Sequence, residues 1–156
     1  MSLPAVRNQL SRAVAKFDGL PTPLRRAAVS LVLGHVVPYI GTSKLRFDEL
    51  KSERVVVSVK NRRRVRNHIQ NVHAAAMALL AETATGFCVS MNLPDDKLPL
   101  IKTLKVDYLK RTQGDMRAVA QLSPEQIRLI QTLDKGEVTV PVSITDASGD
   151  EPISAE

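Results

Sequence analysis

The chain has 156 residues, of which 44% are hydrophobic and 3% aromatic, and this length fits one domain with a core of aliphatic side chains. Its single cysteine excludes an internal disulfide bond, and the lack of a membrane-length apolar run or a secretory signal predicts a cytoplasmic location. The net charge of +6 indicates an anionic partner, but with so few aromatic rings for bases to stack on, we expect no nucleic acid.

Two helices are predicted at the start of the chain. Apolar residues at helical spacing indicate an amphipathic helix over residues 5–17. Thr22 as N-cap and Pro23 as first helical residue favour a second helix over residues 24–33, stopped by Gly34 and Pro38. These helices would either cover a sheet or touch a membrane, and the sequence leaves both open.

An N-terminal helical segment (1–38) and a main domain (39–156) are therefore expected. In the main domain the predicted elements are strands 44–48 and 53–60, an alanine-rich helix 72–87, strands 100–109 and 116–122, a capped helix 123–133, strand 138–145 and a short strand at Ile153. Strand 53–60 is a candidate to continue to Val65, and Gly114-Asp115 predicts a hairpin between strands 100–109 and 116–122. A long helix among antiparallel strands indicates an α+β fold with the sheet curled around that helix, or else an open α+β sandwich.

Three polar residues, Asn67, His73 and Glu82, lie at the start of the long helix and along it. The residues three and four positions from Glu82 carry no charge, so the salt-bridge pattern of an exposed helix is missing there. We expect this carboxylate to be partly desolvated, which raises its pKa and suits a base or a nucleophile. Taken singly, each residue also has an ordinary structural explanation: Asn67 as a turn residue, His73 as a polar helix start and Glu82 as a solvated side chain.

Residues 67–75, NHIQNVHAA, followed by residues 80–84, LAETA, resemble the signature of hotdog-fold thioesterases of the phenylacetate-pathway type. That signature has an Asn, a His six positions later followed by two small residues, and an acid nine positions after the His. The resemblance covers roughly residues 40–146, and the whole arrangement is most similar to the branch named domain of unknown function 4442. It implies a hotdog fold with additional N-terminal helices.

The resemblance also implies a hydrolysis site for the thioester of an acyl-coenzyme A. The amide of Ala74 and the helix dipole would stabilise an oxyanion, and Glu82 would act as general base or as nucleophile. Asn67 would position the carbonyl or a water, and His73 would orient the loop. Thr103, on the strand that follows the helix, is a candidate to hold the water.

The chain departs from the family pattern at two positions. Ala74-Ala75 replaces the usual Gly-Gly, so that a methyl group narrows the approach of the substrate carbonyl, and Glu82 replaces the commoner Asp. The first departure favours a non-enzymatic acyl-CoA-binding protein, a sensor or carrier, as an alternative function. A basic nucleic-acid-binding protein is a lesser alternative, because no recognition motif accompanies its arginines.

Helix geometry predicts that the site needs two subunits. Nine residues rotate by about 900° and rise by roughly 13 Å, so His73 and Glu82 lie on nearly opposite sides of one helix. The start of the helix in one subunit and Glu82 of another would meet across a two-fold axis. We therefore expect a homodimer or a dimer of dimers.

A basic run precedes the long helix and consists of Lys60, Arg62, Arg63, Arg64 and Arg66. It is either a solvated strand edge or a site for coenzyme A phosphates. The candidate phosphate-binding residues are Arg62, Arg64, Arg66, Lys110 and Arg111. Cys88 is expected in the core, and neither His35 nor His68 has the spacing of a metal ligand, so no metal site is predicted. Coenzyme A is expected only as part of the substrate.

Overall fold

The structure, a computed structural model, describes residues 7–156. Over these residues the chain forms helices α1 (Gln9–Ala15), α2 (Thr22–Val36), α3 (Pro38–Ser43), α4 (Ala74–Ser90) and α5 (Pro124–Thr132), and strands β1 (Arg46–Leu50), β2 (Arg54–Val59), β3 (Val106–Tyr108), β4 (Met116–Gln121), β5 (Val142–Asp146) and β6 (Ile153–Ala155). A short 3-10 helix (Arg63–Val65) lies between β2 and α4. In the described part of the chain, no helix has the length and apolarity needed to cross a membrane.

The strands pair antiparallel and form a four-stranded sheet in the order β1-β2-β4-β5 and a two-stranded sheet of β3 and β6. β5 and β6 adjoin through a tight turn in which the N–H of Asp146 donates to the carbonyl of Asp150 (2.9 Å). β1 is therefore an edge strand of the four-stranded sheet, and β3 pairs only with β6 among the described residues.

The core lies between α4 and the inner face of the sheet. Alternate residues of β4, namely Met116, Ala118 and Ala120, point inward, as the period of a half-buried strand requires. One face of α4 is buried against β2 and β4, and its alanines allow the helix to approach the sheet closely. This arrangement confirms the predicted α+β class, with a sheet around one long helix.

α1 is held against the far end of α4 by Asn8. The Oδ1 atom of this buried N-cap accepts from the N–H of Ser11 (2.8 Å), and its Nδ2 donates to the carbonyls of Ser90 (2.6 Å) and Leu93 (2.8 Å). A helix was predicted over residues 5–17; residues 5 and 6 lie outside the described residues.

α2 runs further than predicted, because Gly34 does not end it. The predicted N-cap was also wrong: Thr22 is already helical, and the N-cap is Pro21. α3, which the sequence did not indicate, folds back at Pro38 so closely that a Cβ on Gly41 would lie 2.2 Å from the carbonyl oxygen of Gly34. Gly34 therefore serves a close backbone approach rather than a helix end.

The predicted hairpin between residues 100–109 and 116–122 is wrong. β3 pairs with β6, and β4 lies between β2 and β5. The turn before β4 instead contacts the segments that follow β2 and β5. The Oδ1 of Asp115 accepts from the N–H of Asn61 (2.8 Å), and the carbonyl of Gln113 accepts from the N–H of Ala147 (3.0 Å).

The remaining predictions on element bounds have mixed outcomes. β2 ends at Val59, so its suggested continuation to Val65 is wrong, whereas the last strand at Ile153 and the capping box of α5, formed by Ser123 and Gln126, are confirmed.

Cys88 lies fully buried in the core, as predicted, and burial raises the pKa of its thiol to about 12. The division of the chain at residue 38 stays a prediction.

Candidate functional site at the start of the central helix

His73 is the N-cap of α4 and fixes the backbone there. Its Nδ1 accepts from the N–H of Ala75 (3.0 Å), and its own N–H donates to the carbonyl of Val65 (2.7 Å). These contacts tie the start of α4 to the 3-10 helix before it. The His73 ring is therefore occupied with holding the backbone, in agreement with the positioning role expected from the sequence.

Asn67 organises the turn that leads into α4. Its Oδ1 accepts from the N–H groups of Ile69 and Asn71, both at 3.1 Å, and Gln70 adopts the left-handed conformation with φ 64°. Among residues 7–156, no acceptor pairs with the Asn67 Nδ2. That amide group remains available to donate to a carbonyl or a water.

Ala74 occupies the first helical position and offers a free donor. Its N–H has no acceptor among the described residues, and its side chain is exposed. Unpaired N–H groups at a helix start carry partial positive charge and attract anions. The neighbouring amide, that of Ala75, is already taken by His73.

Tyr108 links this helix start to β3, and sequence reasoning missed it. Its hydroxyl donates to the carbonyl of Ala74 (2.9 Å), so the exposed end of β3 lies directly beside the free amide. The sequence predicts for residue 108 only a place in strand 100–109. A tyrosine there carries no local signal for a contact 34 residues away.

Glu82 lies on the side of α4 that faces away from the sheet. It is half-buried, and desolvation by burial raises the pKa of its carboxyl group. In the described part of the chain no cation forms an ion pair with it. A Cβ on Gly86 would lie 3.6 Å from its Oε1, so the carboxylate lies over a gap in the helix surface.

A single chain does not bring Glu82 to the helix start. Ala76, Leu80 and Ala84 mark the buried face of α4, and Glu82 lies opposite to it, about two and a half turns from His73. The free amide of Ala74 and the carboxylate of Glu82, both needed for the predicted chemistry, therefore lie apart on one helix.

Thr103 does not lie on a strand, contrary to the sequence expectation. β3 starts only at Val106, and Thr103 is an exposed residue of the irregular segment before it. No side-chain contact of Thr103 with a described residue supports its predicted role of holding the water.

The arginines of the basic run do not act alike. Arg62, Arg63 and Arg64 line an open cleft of about 480 Å³. Arg64 donates to the carbonyl of Thr42 at the end of α3 (3.0 Å), and Arg66 donates to the side chain (2.9 Å) and carbonyl (2.8 Å) of Asn61. Arg62 and Arg63 form no ion pair with a described carboxylate.

The second predicted basic pair is split. Lys110 forms an ion pair with Asp150 (2.7 Å) in the β5–β6 turn, whereas Arg111 is exposed without a carboxylate partner among residues 7–156. Over the same residues, no cluster of three or more His, Cys, Asp or Glu could hold a metal ion.

Comparison with known proteins identifies the fold. The family model described as "Domain of unknown function (DUF4442)" matches residues 25–156. A Pseudomonas aeruginosa protein of unknown function, named a probable thioesterase, is 25% identical, with 87% of this chain and 91% of that chain covered and a TM-score of 0.74. Among curated proteins, none matches the chain significantly in sequence.

Two further structures share the fold at lower identity. A mutant thioesterase from Staphylococcus aureus is 17% identical over 76% of this chain and 93% of that chain, with a TM-score of 0.62. A thioesterase from Haemophilus influenzae is 12% identical over 79% and 82%, with a TM-score of 0.63. The predicted hotdog fold with additional N-terminal helices is thereby confirmed.

Proposed function

We propose that this chain, which belongs to the DUF4442 family, hydrolyses the thioester of a fatty or aryl acyl-CoA at a site that two copies of the chain form together. The observation that carries the proposal is the placement of two groups on α4. A free amide lies at one end of the helix, and a half-buried carboxylate of raised pKa lies on its opposite side.

Two features support a second copy as the missing half. Around Glu82 the outward face of α4 carries small residues, Ala75, Ala78 and Gly86, which let another helix come close. β3 has an open edge, because its bonds to β6 use Lys105 and Leu109 and leave the backbone of Val106 and Tyr108 without partners among residues 7–156. A homodimer through this edge, or a dimer of dimers, places two helix starts beside a neighbouring chain.

The proposed reaction begins with the thioester oxygen at the start of α4. A water attacks the carbonyl carbon while Glu82 of the other copy accepts its proton. The N–H of Ala74 and the helix dipole stabilise the oxyanion. The C–S bond then breaks, and the coenzyme A thiolate recovers the proton from Glu82. Direct attack by Glu82, with later hydrolysis of the anhydride, is the alternative route.

Three residues position these groups. Asn67 Nδ2 donates to the carbonyl or the water, His73 holds the helix start, and Tyr108 anchors the Ala74 carbonyl. The cleft of Arg62, Arg63 and Arg64 offers cations for the phosphates of coenzyme A. Arg111 is a further candidate, and Lys110 is the weaker one because Asp150 already neutralises it.

Binding of acyl-CoA without hydrolysis is the second candidate function. It is favoured by the helix start itself, where Ala74 and Ala75 carry methyl groups and only one of their two amides is free. A single donor stabilises an oxyanion less than two donors do. A protein that binds a panel of acyl-CoAs without releasing coenzyme A would have this function instead.

The proposal is tested by mixing two inactive variants. Glu82→Gln removes the base, and Ala74→Pro removes only the N–H, because proline suits the first helical position and His73 already has the extended backbone that precedes a proline. We expect each variant alone to lose about 10²-fold or more in coenzyme A release. An equal mixture that exchanges subunits is expected to regain about a quarter of the natural activity, since half its dimers contain one complete site.

Ala74→Gly is the matched control, because it keeps the N–H and removes the methyl group. We expect it to hydrolyse acyl-CoA at least as fast as the natural chain. If mixtures that demonstrably contain mixed dimers regain no activity, the site does not lie between subunits.

A further inference from the structure

The net positive charge of the protein is confined to its N-terminal part. Residues 1–46 contain seven Lys and Arg side chains and one carboxylate, that of Asp18, which equals the whole net charge of +6. Residues 47–156 contain fifteen basic and fifteen acidic side chains. The excess of positive charge therefore lies in residues 1–46, outside the residues of the proposed thioester site.

The same N-terminal part exposes an apolar helix face. Val29 and Leu33 are the buried residues of α2, and the opposite side of the helix faces outward. The exposed apolar residues of α2 and of the start of α3, which we call the α2–α3 face, are Leu24, Leu31, Val32, Val36, Val37 and Tyr39. Leu31 is 72% exposed. Several large apolar side chains exposed on two adjoining helices are typical of an interaction site.

Cations lie at both ends of the α2–α3 face. Arg25 and Arg26 follow Leu24 in the first turn of α2, and Lys44 directly follows α3. Of these three, only Arg25 forms an ion pair with a described carboxylate.

We propose that the α2–α3 face docks on a bilayer surface that contains anionic phospholipids. Its apolar side chains enter the interfacial region, and the cations at its two ends contact the headgroup phosphates. A second copy of the chain fits less well. In a two-fold interface the same patch meets itself, so the cations at its ends would face those of the other copy, and the face itself carries no carboxylate.

The test is co-sedimentation of the full chain with vesicles of pure phosphatidylcholine or of phosphatidylcholine with phosphatidylglycerol. We expect binding to the anionic vesicles at least about tenfold stronger than to the neutral ones, and weakened by salt. Leu31→Glu is expected to abolish binding, and Arg26→Gln with Lys44→Gln to weaken it by about fivefold for each charge removed.

Leu98→Glu is the matched control, because Leu98 is 77% exposed on the loop after α4, away from the α2–α3 face. It is expected to bind vesicles like the natural chain. Equal binding to neutral and anionic vesicles, or none to either, overturns the proposal. So does a Leu31→Glu variant that binds normally, or one whose mass in light scattering falls, since a second copy would then cover the face.

The outcome is separable from that of the proposed hydrolysis. Leu31→Glu is expected to cleave a short-chain, water-soluble acyl-CoA at the natural rate when no vesicles are present, because the α2–α3 face contributes no residue to the thioester site.

Discussion

The outer edges of strands β1 and β3 are protected to different degrees. At β1, helix α2 lies alongside the edge, and the Oγ of Ser30 accepts from the N–H of Phe47 (2.9 Å). A bulge after Phe47 further interrupts that edge. At β3, nothing in the described part of the chain pairs with the outward backbone groups of Val106 and Tyr108.

This difference favours β3 as the edge at which the proposed second copy would pair. An unprotected strand edge invites pairing with another chain, and natural proteins cover edges that must stay single. The chain covers β1 with its own helix but leaves β3 open, next to the free amide at the start of α4. The open edge of β3 and the free amide of Ala74 thus lie next to each other.

The largest effect is expected from a substitution that prevents another chain from pairing with the open edge of β3. Val106→Pro removes an N–H that faces away from β6 and is therefore not needed within the chain. We expect a folded protein that is monomeric in light scattering and has only background acyl-CoA hydrolysis, because its site lacks the second half.

Val106→Ala is the control for that variant, since it shortens the side chain further but keeps the N–H. It is expected to remain dimeric and active. A Val106→Pro protein that is still dimeric and active would show that the copies meet elsewhere.

A substitution in the helices beside the covered edge of β1 is expected to have a smaller effect, and to change only the stability of the fold. Gly41→Ala places a methyl group 2.2 Å from the Gly34 carbonyl, so α3 must move away from α2. We expect the free energy of unfolding to fall by about 3 kcal/mol in urea titrations. Gly19→Ala, whose new methyl group would meet nothing within 4 Å, is expected to change it by less than about 0.5 kcal/mol. Equal effects of the two substitutions would refute the close packing of α2 on α3.

The smallest expected effect is the contribution of Glu82 to the pH dependence of stability. Burial raises the pKa of Glu82, so the folded chain binds its proton more tightly than the unfolded chain does. Its contribution therefore lowers the free energy of unfolding as pH rises from the ordinary glutamate pKa through the raised one.

Glu82→Gln removes this titration. We expect the variant to gain stability relative to the natural chain over that pH window, measured by urea unfolding at a series of pH values, while its hydrolysis is lost. A stability difference that shrinks as pH rises would contradict a raised pKa.

Local sequence signals predicted the helices better than the strand pairings. The alanine-rich run before Ser90 and the Ser123–Gln126 capping box concern neighbouring residues, and both helices were found. The pairing of β3 with β6 joins residues nearly fifty positions apart. Alternation of apolar residues indicates a strand but not its partner, so a turn between two strands was mistaken for a hairpin.

The candidate site shows the same division. Asn67, His73 and Glu82 were identified through the resemblance to the thioesterase signature, and their roles stay predictions. Thr103 was placed on a strand that starts three residues later, and Tyr108 was missed, because both depend on where the chain returns to α4.

By itself, the sequence determined the long central helix, the position of its N-terminus and the opposed placement of His73 and Glu82, because helix periodicity depends only on residues within a few turns. Only the tertiary structure decided that one sheet edge is covered by α2 while the other stays open, and that Tyr108 meets Ala74. These features depend on which distant segments pack together, and burial of apolar surface, which selects the packing, is not directional along the chain.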